Sequence, residues 1–263
     1  MRRIYFIALS AIMLIVSANA SAQPRPSHRP VTSKAARGFG IDFGYVHSSY
    51  RTTDWATDEV ETSAGLDGFV AGLTKDFRLI PGALYFQTGL KYIYQNDERN
   101  ENVSVAGFDT GIKVVGDRTE HYLALPVRLK YTLPVTDRIG LGIDFGPTLL
   151  CGLSSNLKYR TRFADGETSA VTYNIYKGEM GVNGVLDGQW NLKEWVEQTG
   201  MLPDGRLNRF DVMLGAAIGA DFFNVLEVRI GYDWGLINRY KKEIAEDLIM
   251  RRGQFNLSVA VRF

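Results

Sequence analysis

Cysteine is almost missing from this sequence. Cys151 stands alone, so no internal disulfide can form, and the position reads as a small apolar strand residue. Histidine is nearly as scarce, at His28, His47 and His121. Without a Cys/His cluster nothing has the ligand spacing of a zinc site, and neither metal nor cofactor is expected. An excess of base is missing too. The 30 Lys+Arg stand against 29 Asp+Glu, which argues against a nucleic-acid binder. "GVNGVLDG" is rich in glycine but follows no strand and opens no helix, so it is not a phosphate loop. From Gly38 onward no run reaches about 18 apolar residues, the length a transmembrane helix needs.

What is present begins with Arg2 and Arg3, an apolar stretch "IYFIALSAIMLIV", and small residues at Ala20 and Ala22. The order of base, short apolar core and A-x-A site predicts a secretory signal over 1–22. The apolar core is too short to span a bilayer of about 30 Å, and no cysteine follows it to take a lipid. Residues 23–37, rich in proline and base, read as a flexible periplasmic stub.

Residues 38–263 alternate between apolar and polar side chains, segment after segment. "GFGIDFGYVHSSY", "ALYFQTGLKYIYQ", "HYLALPVRLKYTL", "IGLGIDFGPTLL", "RFDVMLGAAIGADFF", "LEVRIGYDWGL" and "GQFNLSVAVRF" each carry one apolar face. "GLDGFVAGLTKDF" has a poorer period and cannot be oriented. The connections alternate as well. "RLIPG", "PVTDR" and "FN" are tight turns, while long loops are expected near 51–64, 96–118, 153–207 and 238–251. Eight strands with this layout predict an all-β, eight-stranded, antiparallel up-and-down transmembrane barrel, with short periplasmic turns and long extracellular loops.

In such a barrel the apolar face meets lipid and the polar face lines the lumen. Tyr92, Tyr94, Tyr131, Phe222, Trp234 and Phe263 then form interfacial girdles. Asp42, Lys91, Arg128, Lys130, Asp144, Asp211, Asp221, Glu227, Arg229, Asp233 and Arg262 fall inside. Eight strands leave an interior that side chains fill, so these charges predict a paired plug rather than a pore. The last strand, with Phe255, Leu257, Val259, Val261 and Phe263 on one face, closes the ring on the first. An alternating strand that ends in phenylalanine also resembles the signal read by the outer-membrane assembly machinery.

"HYLALPVRLKY", "FGPTLLCGL", "FDVMLGAAIGADF" and "RIGYDWGLINR" together resemble the PorT-like outer-membrane β-barrel proteins of the Bacteroidota, over roughly 39–263. The resemblance implies an eight-stranded barrel in the bacterial outer membrane, and a secretion system or another envelope protein as partner, alongside outer-membrane lipids. The 153–207 loop is longer than that family's.

The expected role is therefore non-catalytic, as a surface scaffold or an accessory in envelope transport or protein secretion. The alternative is an outer-membrane enzyme that modifies lipid A through histidine, serine and a carboxylate. His47 beside Ser48 and Ser49, and His121 beside Glu120, are the candidates, but strands one and four lie nearly opposite in the ring. In the longest loop Asn191 and Glu194 form a capping box, Gly200 a stop, and a short helix is expected over about 192–199. Trp190 and Trp195 there are candidate anchors for a protein or glycan partner.

Overall fold

The computed structural model describes residues 38–54, 60–80, 83–105, 108–136, 138–163, 165–184, 207–223, 225–240 and 248–263. The expected signal sequence, the stub, the loop helix, Trp190 and Trp195 lie outside the described residues.

Among the described residues ten strands follow one another: β1 (Phe39–Asp54), β2 (Val60–Ile80), β3 (Leu84–Val105), β4 (Phe108–Pro134), β5 (Ile139–Arg162), β6 (Thr168–Asn174), β7 (Glu179–Gly184), β8 (Phe210–Phe222), β9 (Leu226–Gly235) and β10 (Leu248–Arg262). Every pairing is antiparallel. β1 meets β2 on one side and β10 on the other, with Phe43 opposite Ala71 and Val259. From β2 the ladder passes through β3, β4, β5, β8 and β9 back to β10. Eight strands thus close a ring, which leaves no unpaired edge in hydrocarbon. β6 and β7 branch from the upper part of β5, where Asn156 pairs with Asn174 after β8 has ended at Phe210 opposite Cys151.

The pleat decides the two faces. Along β10, Phe255, Leu257, Val259, Val261 and Phe263 point outward, while Gln254, Ser258, Ala260 and Arg262 are buried inside. Ile41, Leu73, Leu90, Leu129, Ile143, Ile218 and Ile230 add to a continuous apolar exterior. β2, the strand without a clear period, falls into place. Leu66 and Val70 are buried in the lumen, and Asp67 and Lys75 lie outside. The two mismatches on each face blur the alternation.

The tight turns lie at one end. Val135 and Thr136 both donate their amides to Ile139 O, at 2.9 and 3.0 Å. Phe223 takes a left-handed φ of 56° to reverse the chain between β8 and β9. The opposite end departs from expectation. Residues 96–118 are no loop. They extend β3 and β4 as a paired hairpin, from Asn96↔Thr119 to Val105↔Phe108. The 51–64 region likewise begins and ends in strand, and the 153–207 region begins in β5 and holds the β6–β7 hairpin. From Asn96 to Asn102 the sequence is polar at every position, so no alternation betrays the strand.

Candidate functional site

The lumen is filled in layers. The layer nearest the tight turns is ionic. Glu227 is its centre: it accepts from Arg262 Nε at 2.9 Å and lies 3.0 Å from Arg229 Nη2, and it also accepts from Lys130 Nζ. Asp233 binds Arg128 and accepts from Asn256 Nδ2 at 2.7 Å. Asp42 accepts from Thr74 Oγ1 at 2.5 Å and sits 3.6–3.9 Å from Lys91, Arg262 and Arg229. Asp144 lies 3.7 Å from Arg229 and 3.8 Å from Arg128. The charges that alternation placed inside are inside, and those of this layer are paired, whereas Asp211, nearer the mouth, is not.

Above this layer comes a belt of Val46, Val70, Ile93, Ala124, Leu150 and Met213, with the Tyr122 ring, buried together. It draws on six strands, and β9 and β10 complete that level with Asp233, Gln254 and Asn256. An interior closed by ion pairs, under an apolar belt, inside an apolar exterior ringed by aromatic side chains, is the construction of an outer-membrane barrel. A family model for the outer membrane protein beta-barrel domain matches residues 21–241. The chain belongs to this family.

The protein is accordingly a bacterial outer-membrane protein. Solved structures to which the barrel is similar include Ail, the attachment invasion locus protein of Yersinia pestis, at 13% identity. That match covers 86% of this chain and 99% of that one, with a TM-score of 0.32. Neisserial surface protein A is similar at 10% identity, 86% and 97% coverage and a TM-score of 0.37. The outer membrane protease OmpT from Escherichia coli is similar at 8% identity, 87% and 98% coverage and a TM-score of 0.26. No curated protein matches the sequence.

The barrel's third layer, at the extracellular mouth, combines arginine with tyrosine. Arg118 donates Nη2 and Nε to Glu120 Oε1 at 2.7 and 3.1 Å. Ser155 and Tyr50 also donate to Glu120, at 3.1 and 2.5 Å, as does Tyr122. Arg252 stacks on the Tyr122 ring at 4.3 Å and Arg239 on Tyr50 at 5.1 Å. Tyr176, on the turn between β6 and β7, lies over this layer within a cluster of Tyr173, Ile175 and Leu207. Burial pushes the Tyr176 phenol up from its ordinary range, against the pull of Arg239, so it stays neutral. Arg239, Arg252 and the inward role of Glu120 escape a reading by segment. Parity would have found two of them. Arg252 continues the inward even-numbered row of β10, and Glu120 that of β4.

Neither histidine reaches the lumen. His47 lies on the outer wall, where Nδ1 is 2.7 Å from Asp67 Oδ1, an oxygen that also accepts from the Tyr45 hydroxyl. Its neighbour Ser48 faces inward, where Arg252 donates to it. His121 is also on the wall, 2.5 Å from the Tyr92 hydroxyl and edge-on to Tyr94. Glu120 therefore does not partner His121, because adjacent strand residues point to opposite faces. β2 and β3 separate the two histidines. Among the described residues, no group of three or more His, Cys, Asp or Glu is placed to hold a metal ion.

Proposed function

We infer that the protein is a closed, non-catalytic outer-membrane barrel that acts through the part standing above the membrane. Its role is that of a surface scaffold or an accessory in envelope transport or protein secretion, as the PorT-like resemblance implies. One observation supports this reading above others. The lumen is spent on ion pairs and an apolar belt, whereas β3, β4 and β5 run for 22, 27 and 24 residues. A tilted strand crosses the bilayer in about 9–11 residues, so roughly half of each is presented outside. The test compares the exported proteins of a deletion strain complemented by wild type or by a variant lacking 168–184. Wild type should restore export and the variant should not. Full export from the deletion strain would remove the secretion role.

A second reading rests on the outer wall. A carboxylate on His47 Nδ1 orients the ring and leaves Nε2 to take a proton from a hydroxyl or water. Ser49 lies two residues along the same face, at the level of outer-leaflet lipid. A lipid A-modifying enzyme would use these groups. His47→Ala, Asp67→Asn and Ser49→Ala should each leave lipid A unchanged by mass spectrometry if the barrel is non-catalytic. A lipid species lost in the deletion strain and in these variants would reverse the order of the two readings.

A further inference from the structure

Among the described residues, the layer at the extracellular mouth carries more positive charge than its carboxylates take up. A carboxylate offers about four lone-pair sites, and Glu120 fills them with Arg118, Ser155, Tyr50 and Tyr122. Arg239 Nη1 lies 3.9 Å from Glu120 Oε2, beyond hydrogen-bond reach. The hydrogen bonds of Arg239 and Arg252, each 1% exposed, go to neutral partners instead. Arg239 donates to the Tyr50 hydroxyl at 2.8 Å and to the Tyr176 hydroxyl at 3.3 Å. Arg252 donates Nε and Nη2 to Ser48 Oγ at 3.1 and 2.8 Å, and Nη2 to Gln95. Two N–H groups, on Arg239 Nε and Arg252 Nη1, find no acceptor.

Asp211, 4% exposed, lies near the same two arginines, yet takes no hydrogen bond from either. Among the described residues, three guanidiniums against two carboxylates leave one positive charge. Buried charge without a partner is costly, and unsatisfied buried donors are rare.

We propose that Arg239 and Arg252 form an anion site inside the extracellular mouth, which takes a single small oxyanion such as phosphate or sulfate. Forked guanidinium donors suit tetrahedral oxygens. Stacking on Tyr50 and Tyr122 holds their planes, so little freedom is lost on binding. The apolar belt closes the layer from below, so the anion enters from outside the cell. Tyr176 is the group it displaces, since its contact with Arg239 is the longest in the set. The barrel wall separates the site from lipid, so the occupant is a free ion and not a headgroup.

The test uses the purified full-length protein in nonionic detergent. Inorganic phosphate is titrated at constant ionic strength, balanced with chloride. The thermal unfolding midpoint and the 31P line width are both followed. In wild type the midpoint should rise and saturate, and the phosphate resonance should broaden. Both responses should vanish in Arg239→Gln and Arg252→Gln and persist in Arg51→Gln, whose side chain is exposed. In chloride alone Arg252→Gln should be at least as stable as wild type, because it removes an uncompensated charge. A purely structural arginine would lose stability. If the glutamine variants do not fold, wild type decides: broadening that saturates and is relieved by sulfate supports the site. A midpoint and line width indifferent to phosphate, or equal responses in all three variants, would overturn it.

Discussion

Glu227→Gln is the most informative single change in the ionic layer. The substitution keeps size and one acceptor oxygen and removes only the charge. Glu227 is 2% exposed and serves Lys130, Arg229 and Arg262 at once. At an effective dielectric near 20, one unit pair at about 3 Å is worth roughly 5 kcal/mol before desolvation. Desolvation of four ions offsets much of that, so the net value of the intact cluster is small. Breaking it is a different matter. The other acids stand off at hydrogen-bond-breaking distances: Asp76 is 3.8 Å from Lys130, and Asp42 is 3.7 Å from Arg262. Three cations would then share distant partners. Losing one member of a buried ion pair costs about 3–5 kcal/mol. The measurement is urea unfolding of the barrel refolded into lipid vesicles, followed by tryptophan fluorescence and by gel mobility of unheated samples. Glu179→Gln is the comparison, since its pair with Lys177 is exposed and should be worth about 0.2–1 kcal/mol. Adding Arg262→Gln to Glu227→Gln should recover part of the loss. A cost for Glu227→Gln no larger than that for Glu179→Gln would refute the account of the lumen as a cooperative ionic plug.

Three further outcomes are expected. Val259→Arg puts a charge on the lipid face, at about 2–4 kcal/mol for a midplane site, whereas Ser258→Arg enters a polar lumen beside a cavity of about 60 Å³ lined by Asp144 and Asp233. The fraction of heat-modifiable barrel should fall further for Val259→Arg, and the reverse order would mean that the faces are misassigned. In planar bilayers the pure protein should give no stepwise conductance, because the apolar belt crosses the lumen; reproducible channels would show that the belt opens. Gly68→Val should abolish assembly, because even a Cβ there would lie 1.8 Å from the Tyr94 carbonyl oxygen. Normal yields of this variant would show that β2 and β3 are farther apart.

Where one face of a strand meets lipid and the other meets charge, the two-residue period is plain. β1, β4, β5, β9 and β10 were legible for that reason. The period fails wherever the contrast fails. Val70 sits in the lumen because the belt there is apolar, and Leu66 is buried above it, so β2 has no plain period. Val46 and Ile93 belong to the same belt, whose existence depends on neighbours from six strands and on no local pattern. The upper hairpin of β3 and β4 is hidden because the sequence from Asn96 to Asn102 is polar at every position. The mouth cluster was harder still. Arg118, Arg239 and Arg252 come from distant parts of the chain, and Arg239 lies beyond the end of β9, so only the closed ring brings them to Glu120. The outer-wall histidines show the opposite error. His121 and Glu120 are neighbours in sequence, yet the barrel wall stands between their side chains.

The strands that carry the barrel are unequal in height. β3, β4 and β5 have 22 to 27 residues, while β8 and β9 have 13 and 10. Seen from the medium, the rim is a parapet on one flank and a sill on the other. At about 3.3 Å of rise per residue, the shortfall of β8 against β3 alone is about 30 Å along the strand. A body that settles against the described strands meets the tall flank on one side and the shorter strands on the other. Rotation about the barrel axis, which strands of equal height would leave free, is therefore biased by their lengths.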